Sequence, residues 1–351
     1  VLTKSFCTLM DAIRGKQVLV TGGSGSIGSQ ITKRALDLGA EIVRVLENDE
    51  TGLFNLKQEV DDTERLRTLL GDVRDRDRLR LAVEDIDVIF HAAALKHVEL
   101  NEYNPFEAVQ TNVQGTQNLV RAALEEEVDS FVAISTDKAS NPTSVMGATK
   151  LLSERLVIAA NAYKGQRDTE FSCVRFGNVL GSNGSVIPLF YNQIKSGGPV
   201  TVTDPEMTRF FMPIEEAVDL VFSANDRMNG GEVFVLKMPT FDVGTLAETM
   251  INGYAPTVDI DPETIEIDII GPRPGERMHE KLISEDELLT TVELSDMFII
   301  YPEIDLENYQ QHEQTTSLGS EYTSVSKEPM SSEELLDMID RAGVLPVEAH
   351  R

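Results

Sequence analysis

A short apolar run, Gln17–Thr21 (QVLVT), empties into three glycines spaced three apart and then into a helix-forming stretch. Few folds accept that order. The alternation continues: β-rich runs at 41–46, 67–70, 87–92, 130–135 and 170–175 are separated by helical patterns at 26–38, 105–126 and 143–164. Strands alternating with helices imply a parallel sheet covered on both faces. The fold class predicted is α/β, a Rossmann-type doubly wound parallel sheet with a smaller C-terminal substrate-binding lobe. Residues 1–176 would form the dinucleotide-binding domain. After Gly177 the pattern breaks into short strands and helices rich in Gly and Pro, so 177–302 would mainly form the smaller lobe, with some segments free to return to the sheet. The remainder, 303–351, reads as a polar arm over 303–330 and a short helix at 333–342, opened by the capping box Ser331-Ser332-Glu333-Glu334.

The glycine loop is Gly22-Gly23-Ser24-Gly25-Ser26-Ile27-Gly28. Gly22 permits a tight turn, Gly25 lets a pyrophosphate approach the backbone, and Gly28 lets the helix pack close to the sheet. The helix N-terminus then offers free N–H groups and a positive dipole end to phosphates. A bare glycine-rich turn is the alternative, but the flanking strand and helix are the context a dinucleotide site requires. Glu47 follows about 20 residues later, where a carboxylate can bind the adenosine ribose hydroxyls and disfavour a 2′-phosphate. NAD is therefore favoured over NADP, unless Glu47 is only a loop acid. Asp72 and Val73, after the third strand, are candidates to flank adenine.

Small residues Ala92 and Ala93 end the fourth strand and would let a flat nicotinamide lie against the backbone. Lys96, on the next loop, is either a contact for a phosphate or sugar hydroxyl or a solvated lysine. The fifth strand runs into Ser135-Thr136-Asp137-Lys138. Met146 and Lys150, at i and i+4, share a helix face. Lys150 could hold the nicotinamide ribose. The adjacent Asp137-Lys138 pair could supply an acid and a base, or be a surface ion pair. As a base Lys138 must be partly neutral, and burial, Lys150 and a nicotinamide cation would each push its pKa down.

Charge narrows the partners. There are 59 acidic and 31 basic residues, a net charge of −28 spread along the chain, so nucleic acid would be repelled. A halophilic source is the reading we expect, since at about 1 M salt the Debye length is roughly 3 Å and surface carboxylates scarcely repel. Cys7 and Cys173 are too few for a disulfide framework and suggest no metal site; Cys173 reads as a buried thiol. No apolar run approaches the roughly 20 residues of a membrane span, and no signal peptide is evident, so a cytoplasmic location away from membranes is expected.

The motifs AALKHVELNEYNP (93–105), STDKASNPTSVMGATK (135–150), RFGNVLGSNGSVIP (175–188), TRFFM (208–212) and GPRPGERMHE (271–280), with the glycine loop, resemble extended short-chain dehydrogenase/reductases of the capsule and polysaccharide-biosynthesis branch. The match is nearest to UDP-N-acetylglucosamine 4,6-dehydratases of the inverting type and covers roughly 10–290. The resemblance implies a tightly bound NAD or NADP that takes hydride from sugar C4 and returns it to C6 after water is eliminated across C5–C6. It implies Lys138 as base at C5, Asp137 as acid at C6, and Thr136 or Ser135 at the C4 oxygen. Asn178 and the 184–186 segment, with Ser185 and Val186, would approach the diphosphate or uridine of a UDP-sugar. Arg209 and Arg273 would pair its pyrophosphate, with Glu276 in the same loop. Self-association into a homo-oligomer is also implied. Met146 departs from the tyrosine most relatives carry there, leaving Asp137, Lys138, Lys150 through water, or Tyr103 to accept the first proton. A UDP-hexose 4-epimerase and a non-catalytic dinucleotide sensor are the rival readings; a dehydrogenase with net cofactor turnover is a third.

Overall fold

The computed structural model describes residues 12–181, 185–304, 306 and 316–345. Cys7, Gly184 and part of the polar arm, 305 and 307–315, lie outside them. The first half contains β1 (Gln17–Thr21), β2 (Ile42–Glu47), β3 (Leu66–Leu70), β4 (Val88–His91), β5 (Ser130–Thr136) and β6 (Glu170–Phe176). The second contains β7 (Asn178–Val179), β8 (Val200–Val202), β9 (Thr208–Met212), β10 (Val233–Leu236), β11 (Thr240–Asp242), β12 (Ile267–Ile269), β13 (Lys281–Ile283), β14 (Thr291–Glu293), β15 (Met297–Ile300), β16 (Thr316–Ser317) and β17 (Tyr322–Thr323). The main sheet has the order β16-β14-β15-β10-β6-β5-β4-β1-β2-β3. From β3 to β10 every pairing is parallel, while β15, β14 and β16 run antiparallel at the far edge. Strand order reverses between β1 and β4, and crevices at the C-terminal ends beside such a reversal are where open α/β sheets bind ligands.

The inner strands are buried on both faces, as helix-covered parallel strands must be: β4 (VIFH) and the first six residues of β5 (SFVAIS) are wholly buried. Cys173 lies among them, fully buried on β6. A second apolar core, including Ile187, Phe190, Phe211, Leu246 and Leu335, joins the helices Val186–Lys195, Val243–Tyr254 and Ser332–Ala342. That last helix has the expected capping box, Ser331 with Glu334. It is tied down where the Tyr254 hydroxyl donates to Asp340 at 2.7 Å.

Several expectations change. Three helices, Glu50–Glu59, Arg76–Val83 and Val98–Tyr103, were not anticipated. The single helix expected over 105–126 is divided: helical residues Pro105–Ala108 lead into a π-helical turn, Val109–Gly115, before the helix Thr116–Glu125. The π turn lets Gly115 lie against Val73, where an added Cβ would fall 2.6 Å from a Val73 methyl. The polar arm is not all loop: β16 joins β14 and β17 pairs with β13. Among the described residues no helix is long and apolar enough to cross a membrane.

Candidate active site

At the end of β1 the glycine loop folds under tight constraint. Gly22 has φ +68°, and a Cβ there would stand 2.6 Å from the Ala93 amide nitrogen. Ala92 and Ala93 thus press directly on the loop. A Cβ on Gly28 would meet the Gly22 carbonyl at 2.2 Å, so only glycine lets the helix Ser26–Asp37 start this close to the strand. Ser24 faces β2: its hydroxyl donates to the Glu47 carboxylate at 2.8 Å and its amide at 3.2 Å. Gly25 caps the helix, with Ser26 and Ile27 as its first residues. Asp72 is held by Arg74 through bonds of 2.7 to 3.0 Å, while Val73 is buried. The residues present fit a dinucleotide: a helix N-terminus that no side chain caps, for the phosphates, and an acid one strand away.

His91, at the end of β4, is neutral scaffolding. Burial pushes its pKa down to about 3, and its two ring nitrogens contact the Thr21 and Thr116 hydroxyls at 2.7 and 2.9 Å. Asn112, from the π turn, grips the Leu95 backbone at both N–H (2.8 Å) and C=O (3.1 Å), and donates to Thr149 on the helix Val145–Tyr163. That fixes the loop carrying Lys96, whose own side chain is exposed. Sequence reasoning missed Asn112 because a π turn has no hydrophobic signature of its own.

The chemistry-bearing cluster lies just past β5. Asp137 is fully buried and accepts hydrogen bonds from the Thr136 hydroxyl at 2.7 Å and from Lys138 Nζ at 3.1 Å. Lys138 Nζ also lies 3.5 Å from Asn178 Oδ1 and 3.3 Å from Glu280 Oε1. Here the structure corrects an expectation. Burial does work against the Lys138 ammonium, but Asp137 and then Glu280 outweigh it, and the pKa is raised. Arg209, not Lys150, is the cation that opposes them. Without ligand, Lys138 is charged.

Lys150 projects from the helix Val145–Tyr163 and donates to the Ile134 carbonyl at 2.5 Å; burial lowers its pKa. Met146, one turn earlier, is 4% exposed. Arg209, on β9, is buried, with its guanidinium on the Thr208 and Met278 carbonyls, Glu276 at 3.3 Å and Glu280 at 3.7 Å. A pyrophosphate would have to displace one of those acids to engage it fully. Arg273 is exposed; the Glu276 carboxylate accepts from its backbone N–H rather than from its side chain. Ser185 caps the helix that Val186 opens, and its hydroxyl is buried with no hydrogen-bond partner. The structure therefore gathers Thr136, Asp137, Lys138, Asn178, Arg209 and Glu276 into one network. It adds Glu280, which the sequence displayed only as the last letter of GPRPGERMHE.

The chain matches the family described as polysaccharide biosynthesis protein over residues 18–302. A Methanocaldococcus jannaschii protein described as an uncharacterized membrane protein is 57% identical across 85% of this chain and 89% of its own length. The UDP-N-acetylglucosamine 4,6-dehydratase (inverting) of Campylobacter jejuni is 39% identical across 93% of this chain and 98% of its own. A UDP-glucose 4-epimerase of Rickettsia rickettsii is 36% identical across 92% and 95%. The solved structure of Pen from Bacillus thuringiensis superposes with a TM-score of 0.89 at 42% identity, covering 95% of this chain and 99% of that one. The chain belongs to the polysaccharide biosynthesis protein family, as an extended short-chain dehydrogenase/reductase of its capsule-type branch.

Proposed function

We propose that the chain is a nucleotide-sugar 4,6-dehydratase acting on a UDP-hexose, with UDP-N-acetylglucosamine the first substrate to try. One observation carries the reading: a buried carboxylate, Asp137, is in hydrogen-bond contact with both a hydroxyl, Thr136, and an amine, Lys138, at the rim of the sheet. Dehydration across C5–C6 needs an acid and a base beside each other. The relative from Campylobacter jejuni bears the name of that activity.

The glycine loop, Glu47, Ala92, Ala93 and Lys150 would hold the dinucleotide, NAD in preference to NADP because the Glu47 carboxylate repels a 2′-phosphate. When bound, it supplies a hydride acceptor and donor. Thr136 meets the sugar C4 oxygen and passes the hydroxyl proton to Asp137, a route that needs no phenol at position 146. The C4 ketone acidifies C5–H, and Lys138 removes that proton. Asp137 then returns the proton it holds to the C6 oxygen, which leaves as water. Asn178 steadies Lys138, and Ser185, Val186, Arg209, Arg273, Glu276 and Lys96 line the approach for the nucleoside diphosphate.

A second reading, 4-epimerase, is favoured by the Rickettsia relative's name. An epimerase moves hydride at C4 alone and has no use for Asp137 beside Lys138. Incubation with UDP-N-acetylglucosamine and UDP-glucose in deuterated water at high salt, read by mass spectrometry, separates these. The expected product has lost one water and gained solvent deuterium at C5. Isomerisation without water loss would establish the epimerase, and a bound dinucleotide with no reaction would establish a sensor.

A further inference from the structure

We propose that Glu280 takes the proton Lys138 must lose before it can act as a base. The proposal rests on the dehydratase reading and deepens it. Lys138 is charged in the resting site, while C5 deprotonation requires a neutral amine. Something must receive the difference, and Lys138 is only partly open to water, with 26% of its side chain exposed.

Glu280 is placed to do so. Its side chain is 4% exposed, with Oε1 3.3 Å from Lys138 Nζ and 3.7 Å from Arg209 Nε. Its other oxygen, Oε2, is buried with no hydrogen-bond partner. The backbone is fixed on both sides of the peptide unit: Glu280 N–H donates to the Ser324 hydroxyl, and Ser324 N–H donates to the Glu280 carbonyl, each at 2.9 Å. The ionisable surroundings are Asp137 and Lys138 beyond β5, Arg209 on β9, and Glu276 and His279 in its own loop. His279 is occupied with the Thr208 hydroxyl at 2.9 Å. Three carboxylates, Asp137, Glu276 and Glu280, thus share two cations. An ionised oxygen buried without a partner is costly, so Glu280 is the member of the set most disposed to take up a proton. Burial, and then Asp137, raise the proton affinity of Glu280, against the pull of Lys138 and Arg209.

The protons balance. Once Asp137 has accepted the C4 hydroxyl proton, only Glu280 still holds the Lys138 charge. An N–H bond of Lys138 breaks, its electron pair stays on nitrogen, and an O–H bond forms on Glu280. The neutral amine then takes the C5 proton, and the C–H electrons pass into the enolate. Asp137 gives its proton to the departing C6 oxygen. When Lys138 reprotonates C5, the proton stored on Glu280 returns to nitrogen, and every group ends as it began. Glu280 acts through Lys138 and needs no contact with the sugar.

The test compares wild type, Glu280→Gln and Glu280→Asp, as full chains with bound dinucleotide, using UDP-N-acetylglucosamine in deuterated water over a pH series. Glutamine keeps the shape but cannot accept a proton. Glu280→Gln is expected to lose about 100-fold in kcat and in C5 exchange near neutrality, with KM little changed. Its activity should climb about tenfold per pH unit, because Lys138 must then lose its proton to solvent, while wild type stays flat. Glu280→Asp should recover part of the rate and the flat profile. A glutamine variant with the wild-type rate and profile overturns the proposal. So does a uniform loss at every pH in both variants, which a merely structural residue would give. If Glu280→Gln fails to fold, Glu280→Ala is read in its place: a sloped profile supports the proposal and a wild-type rate and profile overturn it. Wild type that releases no water takes down the dehydratase reading itself; wild type that dehydrates beside an unaffected glutamine variant takes down this proposal alone.

Discussion

Met146 stands where the resemblance leads one to expect a phenol, and a thioether neither gives nor takes a proton. Its side chain is buried. We therefore expect Met146→Phe to keep more than about a tenth of the activity, and Lys138→Ala to lose about 100-fold or more, with C5 deuterium exchange lost as well. Comparable losses in the two variants would refute the division of labour. Away from the site, burial lifts the Glu170 carboxyl to about 7, with Glu232 and Asp168 adding to it against Lys164. Its usual value is near 4.5. Between those values the folded chain keeps a proton that the unfolded chain has lost, so stability falls as pH rises through the window. Glu170→Gln should match wild type in Tm near pH 4 and exceed it by roughly a few degrees at pH 8, as thermal melts would show. At this scale the sequence displayed Asp137 and Lys138 as neighbours and hid what sets their charge, because Arg209 and Glu280 reach them only through the fold.

The elements read from the sequence were those with strong apolar runs: β1, β5 and β6 emerged nearly intact. The helices Glu50–Glu59 and Arg76–Val83 escaped because they bury only two and three side chains each and so carry little apolar pattern. Equally illegible was the clamp between β6 and the segment after β13. Arg175 is buried and bonded to Glu154 at 2.7 Å, to Glu287 at 2.9 and 3.0 Å, and to the Leu282 carbonyl at 2.8 Å. Burial opposes its charge, and the two glutamates more than restore it. Removing one member of such a set leaves charges buried and unpaired. Arg175→Met should cost about 3–5 kcal/mol in chemical denaturation. A loss under about 1 kcal/mol would mean that water reaches Glu154 and Glu287 after all. Because Glu154 and Lys150 share a helix one turn apart, the same variant should weaken dinucleotide retention.

Over the whole molecule, the net charge of −28 remains the property with the largest reach. Self-repulsion of that size opposes compaction until salt screens it. Raising potassium chloride from about 0.1 to 2 M should lift Tm by roughly 5 °C or more, an effect of about 4 kcal/mol. A flat or falling Tm would remove the halophilic interpretation while leaving the site untouched. The overall α/β architecture was legible because period-two and helical patterns alternate so regularly. The closing edge was not, since β14, β15 and β16 are short and rejoin the main sheet from far along the chain.

That edge has a consequence for how the chain is made. A nascent polypeptide extended just past β6 already contains six strands of the parallel sheet, yet β6 is paired only with β5 and Arg175 has one glutamate of its two. Both deficits persist until β10, Glu287 and β15 leave the ribosome. The sheet is therefore finished only once those later segments have been made, and a product truncated before them would present a sticky, half-neutralised margin to whatever it meets.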